Sequence, residues 1–237
     1  MFTQDHFIWL VALAAAIAAT LVILKKCNLP HSTVKKVAMV LLILLKLFHW
    51  SLSMKESPHG GFILKQSHFS FHLCGLTIYA VVFTNIVKNE KFVRIMQSFI
   101  APCAIAGAAM ALLIPTAGVD FSNPRVWEYM TAHGVLVFYG LYLMLIERVD
   151  LSFKAFVTNL KLLSAEAIFA FCMNSALEEY GPNFFFLREP PMDNLPLLNL
   201  NNGWNVYLLT LAAIACLLLF LIHLPFIIKN ARTAKQH

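Results

Sequence analysis

The stretch FIWLVALAAAIAATLVILKK, from Phe7 to Lys26, decides the fold class of this chain. Its apolar run matches the length of about 20 residues that an α-helix needs to cross roughly 30 Å of hydrocarbon. Asp5 precedes the run, whereas Lys25 and Lys26 follow it, which is the reverse of the charge order in a secretory leader. We therefore predict a retained transmembrane helix whose N-terminus lies outside.

The same apolar pattern recurs along the whole chain. Hydrophobic residues make up 59% of the 237 residues and charged residues only 13%, far from the average soluble protein. In lipid the backbone must satisfy its own hydrogen bonds, which favours helices. We predict an all-α polytopic membrane protein with a single membrane domain over residues 1–237. Its seven transmembrane helices, in one bundle, are Phe7 to Leu24, Val37 to Met54, Ser67 to Val87, Phe92 to Ile114, Val126 to Ile146, Ala155 to Ala176 and Trp204 to Ile228.

The distribution of lysine and arginine predicts the topology. The connections assigned to the outside carry only Lys55, Lys65, Arg125 and Arg188, and the remaining loop cations fall on the other side. By the positive-inside rule, the N-terminus lies outside and the C-terminus inside, in a multi-pass protein of a cell membrane. The net charge of +6 then lies on the inner face, where membrane topology and contact with anionic lipids explain it better than binding to nucleic acid does.

The longest predicted connection is the outer-face loop of residues 177–203, which is acidic, broken by prolines and rich in aromatic residues. Long loops without secondary structure are uncommon unless they serve as lids or binding loops. Aromatic residues also anchor segments at the membrane interface. The loop is therefore either a lid or an interfacial segment.

Several polar residues fall at a similar depth in the predicted spans. Ionisable groups inside membrane helices usually face the interior of a bundle or a water-filled cavity. We therefore predict a polar pocket in the outer half of the bilayer. The residues placed there are Lys46, His49, His72, Cys74, His133, Glu166 and Asn174. Two alternatives stay open, because His49 also fits an interfacial position and Lys46 either snorkels outward or pairs with a carboxylate such as Glu166.

Cys74 and His133 form the pair with the clearest chemical meaning. A thiol in an apolar helix is inert unless a base or a positive environment produces the thiolate. His72 is two positions away and thus about 200° round the helix, so the base must come from another helix. His133 has a matching depth and stands beside Gly134, which permits close helix approach. The spacing thus favours a Cys–His pair, with simple packing of the thiol as the alternative.

The histidines also allow metal or haem binding as alternatives. His68 and His72 are four apart and share a helix face, so they and other histidines suit a zinc hydrolase, and a haem would need paired axial histidines. The last span carries only His223 and no HxxxH motif. We predict no metal and no cofactor. A transporter or receptor is the non-enzymatic alternative, although the polar residues form no continuous path across the membrane.

Four motifs carry a resemblance to a known family. They are HLCG at His72 to Gly75, AHGVLVFYGLYLMLIE at Ala132 to Glu147, MNSALEEYGPNFFFLREPP at Met173 to Pro191, and GW at Gly203 and Trp204. With this order and spacing, the chain resembles the bacterial YwaF-type integral membrane family. That family is related to eukaryotic transmembrane protein 164 and more distantly to androgen-induced membrane hydrolases of fatty-acid esters. The resemblance implies a location in a bacterial plasma membrane.

The resemblance also implies acyl chemistry without acyl-CoA. The eukaryotic relative moves a fatty acyl chain between phospholipids, and its proposed nucleophile is the cysteine of the matching HLC motif, which falls on Cys74. The histidine of the matching HG motif falls on His133. Asn174 and Asn183 match two asparagines of the family, although this chain has GPNFFFL where relatives often carry a GTNY-like run.

Residues and resemblance together predict a transacylase that works through a thioester on Cys74. Its substrates are phospholipids or lysophospholipids, with a lipoprotein amine as a further acceptor. Tyr129, Asn174 or Asn183 would stabilise the oxyanion, and His49, His68 and His72 would orient the lipid headgroup. A lipid hydrolase, dependent on the thiol or on a metal, is the alternative enzyme.

Overall fold

A computed structural model describes residues 3–27, 29–54, 68–192, 195 and 197–234. These residues form helices and no strand. The α-helices are α1 (Gln4–Cys27), α2 (His31–Ser53), α3 (Leu73–Ile86), α4 (Glu90–Leu113), α5 (Pro124–Tyr142), α6 (Phe153–Ala176) and α7 (Trp204–Ala234). A π-helix, Leu143–Glu147, extends α5, and two 3₁₀ turns, Glu178–Tyr180 and Phe184–Phe186, follow α6.

Six of the described helices, all except α3, are long and apolar enough to cross a membrane. The polytopic all-α prediction is therefore confirmed. Large apolar side chains stand exposed along these helices, as contact with lipid requires, and Phe7 on α1 is 69% exposed. The third predicted span differs, because α3 has 14 residues and is about 21 Å long, short of the bilayer core.

The start of α3 has a local cause. The predicted span began at Ser67, which lies outside the described residues, and the chain is still non-helical at Ser70. The carbonyl oxygen of Ser70 lies against the first turn of α3, at the place that a Cβ on Gly75 would occupy. The preceding chain therefore folds back over the helix instead of continuing it, and only glycine allows this approach.

Asparagine residues cap the starts of α4 and α5. The side chain of Asn89 accepts a hydrogen bond from the backbone N–H of Phe92 (3.0 Å) at the start of α4. Asn123 accepts one from Arg125 (2.9 Å) at the start of α5, and Pro124 follows it in the first turn. These N-caps satisfy backbone donors that a helix start leaves unpaired, so the capped residues mark where each helix begins.

The described chain divides into two compact units. Unit 1 comprises Met1–Ser70 and Cys74–Val149, and unit 2 comprises Phe71–Leu73 and Asp150–His237. In unit 1, helices α1, α2 and α4 all pack against α5. Gly134 of α5 allows the approach of α1, since a Cβ there would come within 2.8 Å of the Leu13 side chain; the sequence had linked this glycine to the helix that carries Cys74.

The direction of the helices in unit 1 follows from contacts at both ends of α5. His49, late in α2, contacts Glu128 early in α5, and His31 at the start of α2 contacts Tyr142 at the end of α5. Helices α2 and α5 are therefore antiparallel. Tyr129, early in α5, donates to the carbonyl oxygen of Ala111 near the end of α4, so α4 and α5 are antiparallel as well.

Unit 2 is built on the pair α6 and α7. The amide of Asn159 on α6 donates to Nε2 of His223 on α7 (3.1 Å), and the ring of Phe156 packs against Phe220 with centroids 5.6 Å apart. The backbone carbonyl of Leu219 accepts from Nδ1 of His223 (2.9 Å). Both ring nitrogens of His223 are thus engaged within the pair, which supports a structural role for this histidine.

Candidate functional site

Cys74 lies in the first turn of α3, in unit 1, and is partly buried. The turn is held down by the chain at Ser70, whose carbonyl contacts the position of Gly75. A thiol at the start of a helix is near the backbone N–H groups that face the helix N-terminus. These groups are hydrogen-bond donors beside the sulfur.

His133 occupies the middle of α5, and its hydrogen bond fixes the tautomer. Nδ1 of His133 lies 2.7 Å from the carbonyl oxygen of Tyr129. A carbonyl oxygen only accepts, so Nδ1 carries the proton and Nε2 of the neutral ring keeps its lone pair. The imidazole is thereby oriented to take up a proton at Nε2, as a general base must.

Tyr129 is the neighbour that Cys74 and His133 share. Its ring packs against that of His133 with centroids 4.2 Å apart, and its hydroxyl is within electrostatic range of the Cys74 sulfur. The hydroxyl also donates to the carbonyl oxygen of Ala111 (3.2 Å). Cys74 and His133 themselves are not joined by a hydrogen bond in the described structure.

A set of polar side chains from α2, α5 and the segment before α3 surrounds this region, and we call it the charged cluster. Nδ1 of His49 donates to Oε2 of Glu128 at 2.9 Å. Lys46 donates to the hydroxyl of Ser70. Glu128 is only 7% exposed, so its carboxylate contributes to a largely desolvated site. The members of the charged cluster are Lys46, His49, Ser53, Ser70, Arg125 and Glu128.

Arg125 completes the charged cluster at the start of α5. Its guanidinium donates to the hydroxyl of Ser53, which is buried at the end of α2. Both Arg125 and Glu128 are within electrostatic range of the Lys46 ammonium. Glu128 is also within range of His133. The cluster therefore adjoins His133 through Glu128, and Lys46 and Arg125 are its lysine and its arginine.

Sequence reasoning found Lys46 and His49 but missed Glu128, Arg125, Ser53 and Ser70. Arg125 was counted among the cations of the outer connections, because polarity alone does not distinguish a loop residue from one in the first turn of a helix, and Glu128 was not singled out. The spacing offered a signal. Lys46, His49 and Ser53 follow the i, i+3, i+7 pattern of one helix face.

His68 and His72 fall in different units. His68 is buried, 9% exposed, in the chain before α3 in unit 1. His72 belongs to unit 2, where its ring packs against Phe184 and Phe186 with centroids 5.4 and 5.3 Å away. Because α3 begins only at Leu73, the two histidines do not share a helix face as the spacing had suggested. This removes the geometric basis for reading them as zinc ligands on one helix.

The two asparagines predicted as oxyanion donors lie in a segment of unit 2 that we call the asparagine loop, residues 174–189. Nδ2 of Asn174 donates to the carbonyl oxygen of Phe184 (3.1 Å), and its Oδ1 accepts from the N–H of the same residue (2.8 Å). Asn174 is buried. Its amide thus pairs with the backbone of Phe184 in the way that two peptide groups pair.

Asn183 plays a similar part at the other end of the asparagine loop. Its Oδ1 accepts from the N–H of Arg188 (3.0 Å), and its Nδ2 donates to the carbonyl oxygen of Glu189 (2.8 Å). Arg188 in turn donates to the carbonyl oxygen of Asn174 (2.8 Å). Phe185, with φ 56°, has the left-handed backbone conformation that only such fixed surroundings maintain.

Glu166 is partly buried on α6 of unit 2. Its Oε2 has no hydrogen-bond partner among the described residues. The recorded hydrogen bond of the Lys46 ammonium goes to the hydroxyl of Ser70, and the pairing with Glu166 that the sequence left open stays a prediction. In the described residues, no group of three or more His, Cys, Asp or Glu side chains is arranged to hold a metal ion.

Comparison with known proteins adds one match. The sequence model of the TMEM164 family covers residues 1–223, nearly the whole chain. No curated protein matches the sequence, and no solved structure matches it either. The match includes both Cys74 and His133 and the whole asparagine loop.

Proposed function

Since the chain belongs to the TMEM164 family, we propose that it is a membrane-embedded transacylase, which moves a fatty acyl chain between phospholipid-type substrates through a thioester on Cys74. The observation that carries the proposal is the orientation of His133. Its Nδ1 is bonded to the backbone of Tyr129, and Tyr129 is also within electrostatic range of Cys74. Cys74 and a histidine whose Nε2 keeps its lone pair therefore share Tyr129 as a neighbour.

The first half of the reaction is acylation of the enzyme. Nε2 of His133 takes the thiol proton, and the thiolate of Cys74 attacks the ester carbonyl carbon of the donor lipid. The carbon–sulfur bond forms, and the ester carbon–oxygen bond breaks when the tetrahedral intermediate collapses. The departing lysolipid oxygen takes the proton back from His133. Glu128, within electrostatic range of His133, favours the imidazolium that forms between these steps.

The second half transfers the acyl group to an acceptor. A hydroxyl of a lysophospholipid gives its proton to His133 and attacks the thioester carbonyl, and the thiolate leaves and recovers that proton. One ester is broken and one is made, so no oxidant, reductant or acyl-CoA is required. A lipoprotein amine would give an amide by the same sequence, and water would turn the transfer into hydrolysis.

We prefer Tyr129 to the two asparagines as the oxyanion donor. Its hydroxyl is within electrostatic range of Cys74 and would exchange its single hydrogen bond, to the Ala111 carbonyl, for one to the oxyanion. The side chains of Asn174 and Asn183 are each bonded to more than one backbone group of their own loop. The N-terminal backbone of α3 offers further donors beside the sulfur. We therefore propose that the two asparagines maintain the conformation of the asparagine loop.

The decisive experiment traps the thioester. Purified protein is incubated with a phospholipid whose acyl chain is isotopically labelled, with no acceptor present. We expect the label on the peptide that contains Cys74, released by hydroxylamine, and its transfer to a lysophospholipid added afterwards. Label recovered only as free fatty acid would identify a hydrolase, and no label on Cys74 in a protein that still transfers acyl groups would refute the thioester.

We also propose the finer topology of seven membrane-crossing helices with an outer N-terminus and an inner C-terminus. Helices α2 and α4 are each antiparallel to α5 and hence parallel to each other. The chain must then return across the membrane between them, and α3 is the segment that does so. The loop charges support the orientation. A cysteine placed at exposed Asn201 should react with an impermeant reagent from outside, while one placed at exposed Lys91 should not; the reverse pattern would contradict it.

A further inference from the structure

The charged cluster contains more positive charge than its own carboxylate balances. Lys46 donates to Ser70 and Arg125 donates to Ser53, so each cation is bonded to a neutral hydroxyl. Among the described residues, neither cation forms an ion pair with a carboxylate. Cations in a membrane protein normally pair with an anion or with backbone carbonyls. This arrangement therefore leaves room for an anionic ligand.

Glu128 does not remove the imbalance. Its Oε2 accepts from His49, and the carboxylate supplies one negative charge against the two positive charges of Lys46 and Arg125. The two cations are also within range of mutual repulsion. Like charges in partly buried surroundings are costly, because the low dielectric screens them poorly. An anion that contacted both would remove this repulsion and gain charge-assisted hydrogen bonds.

The donor set matches the oxygens of a phosphate group. An ammonium, a guanidinium and two hydroxyls converge from two helices and the chain before α3, and each of these groups binds phosphate oxygens in other proteins. A glycerophospholipid carries its phosphate a few bonds from its ester carbonyls. A site for that phosphate must therefore adjoin the nucleophile, and Ser70 satisfies this, since its hydroxyl meets Lys46 and its carbonyl meets the α3 turn that bears Cys74.

We propose that Lys46 and Arg125, supported by Ser70 and Ser53, form a binding site for the phosphate of a glycerophospholipid headgroup beside Cys74. This inference rests on the proposed transacylase function and narrows it: the site selects lipids that carry a phosphate ester and rejects neutral glycerides. The hydroxyls hold the two cations in place when the site is empty. On binding, the phosphate oxygens replace them as the partners of the ammonium and the guanidinium.

The test uses lipids that the thiolate cannot cleave. Full-length protein in a phosphate-free detergent is titrated with a dialkyl ether phospholipid and with the matching dialkylglycerol, and binding is measured by native mass spectrometry. We expect the protein to prefer the phospholipid by roughly tenfold or more, which corresponds to about 1.4 kcal/mol. Equal affinity for the two lipids would overturn the proposal.

Variants of Lys46 and Arg125 test whether these two cations cause the preference for the phospholipid over the dialkylglycerol. Lys46→Gln and Arg125→Gln should each lose roughly tenfold in affinity for the phospholipid and keep the affinity for the dialkylglycerol. Lys46→Arg should keep most of the binding, which guards against misfolding as the cause of a loss. Lys35→Gln is the matched control on the same helix, because Lys35 is partly buried and paired with Glu147 (2.7 Å). Loss in Lys35→Gln equal to that in Lys46→Gln would count against the site.

Two further measurements separate this proposal from its alternatives. Inorganic phosphate at millimolar concentration should displace the lipid only weakly; displacement by phosphate as tight as the lipid itself would identify free phosphate as the ligand. Thioester trapping with the labelled ester phospholipid, on the same protein preparations, separates the two proposals. Binding that depends on Lys46 and Arg125 without label on Cys74 would refute the transacylase alone, whereas label on Cys74 with unchanged binding in both variants would refute the phosphate site alone.

Discussion

The polar side chains of the charged cluster and those of the asparagine loop have opposite kinds of partners. In the cluster, side chains bond other side chains, as His49 does with Glu128 and Lys46 with Ser70. In the loop, Asn174 and Asn183 bond backbone groups. Backbone partners cannot move or change charge without unfolding the loop. Side-chain partners exchange easily for a ligand. We therefore expect the charged cluster to bind a ligand and the asparagine loop to keep a fixed conformation.

The largest effect on acyl transfer is expected from removal of the nucleophile. Cys74→Ala should lower acyl transfer by at least roughly 1,000-fold, about 4 kcal/mol, with little change in thermal stability. His133→Ala should lose nearly as much, and the double variant should be little worse than either, because residues that act as one unit are not additive. Rates are measured by lipid mass spectrometry.

The control for this experiment is Cys172→Ala, which removes an exposed thiol of α6. It should keep most of the activity. Substantial transfer by Cys74→Ala alongside an inactive His133→Ala would show that the thiol only packs, and the chemistry would then have to start from the histidine.

The opposite response is expected from Asn174 in the asparagine loop. Asn174→Ala leaves the N–H and the carbonyl of buried Phe184 without partners, which should cost about 2–4 kcal/mol of stability. The midpoint of thermal unfolding measures this loss. Asn201→Ala, at an exposed position, should change little. If Asn174→Ala kept its stability but lost acyl transfer, Asn174 would be an oxyanion donor, and its role would not differ from that of the charged cluster in the way proposed.

A smaller effect is expected from Glu128, which connects the charged cluster with His133. Glu128→Gln keeps a hydrogen-bonding side chain beside His49 but removes the charge that favours the imidazolium of His133. We expect a loss of roughly tenfold in transfer rate, about 1.4 kcal/mol, while Tm falls by only a few degrees. Glu147→Gln, which breaks the ion pair with Lys35, serves as the control. Equal losses of rate in both would contradict a role specific to Glu128.

The smallest effect should come from Asn183, and it tests the comparison within one loop. Its hydrogen bonds to Arg188 and Glu189 are similar in number to those of Asn174 but lie closer to solvent, where water replaces them. Asn183→Ala should therefore cost about 1 kcal/mol or less. A loss of stability as large as that of Asn174→Ala would show that burial does not set the difference between the two asparagines.

The sequence by itself determined the membrane fold, because the length and polarity of an apolar run are local properties. Six of the predicted spans correspond to helices long enough to cross the membrane, and Asn89 and Asn123 mark helix starts that local capping decides. The third span was predicted too long. Its start depends on the fold of the chain at Ser70 over Gly75, a contact that hydropathy does not register.

Tertiary structure alone decided which polar groups meet. Glu128 and Arg125 read as ordinary charges at the end of a span until the antiparallel packing of α2 on α5 brings them to His49 and Lys46. The backbone partners of Asn174 and Asn183 likewise come from the fold of their loop and cannot be predicted from the sequence. Composition fixes how many polar groups a membrane helix carries, but the free energy of each depends on its partner, and the partner comes from another part of the chain.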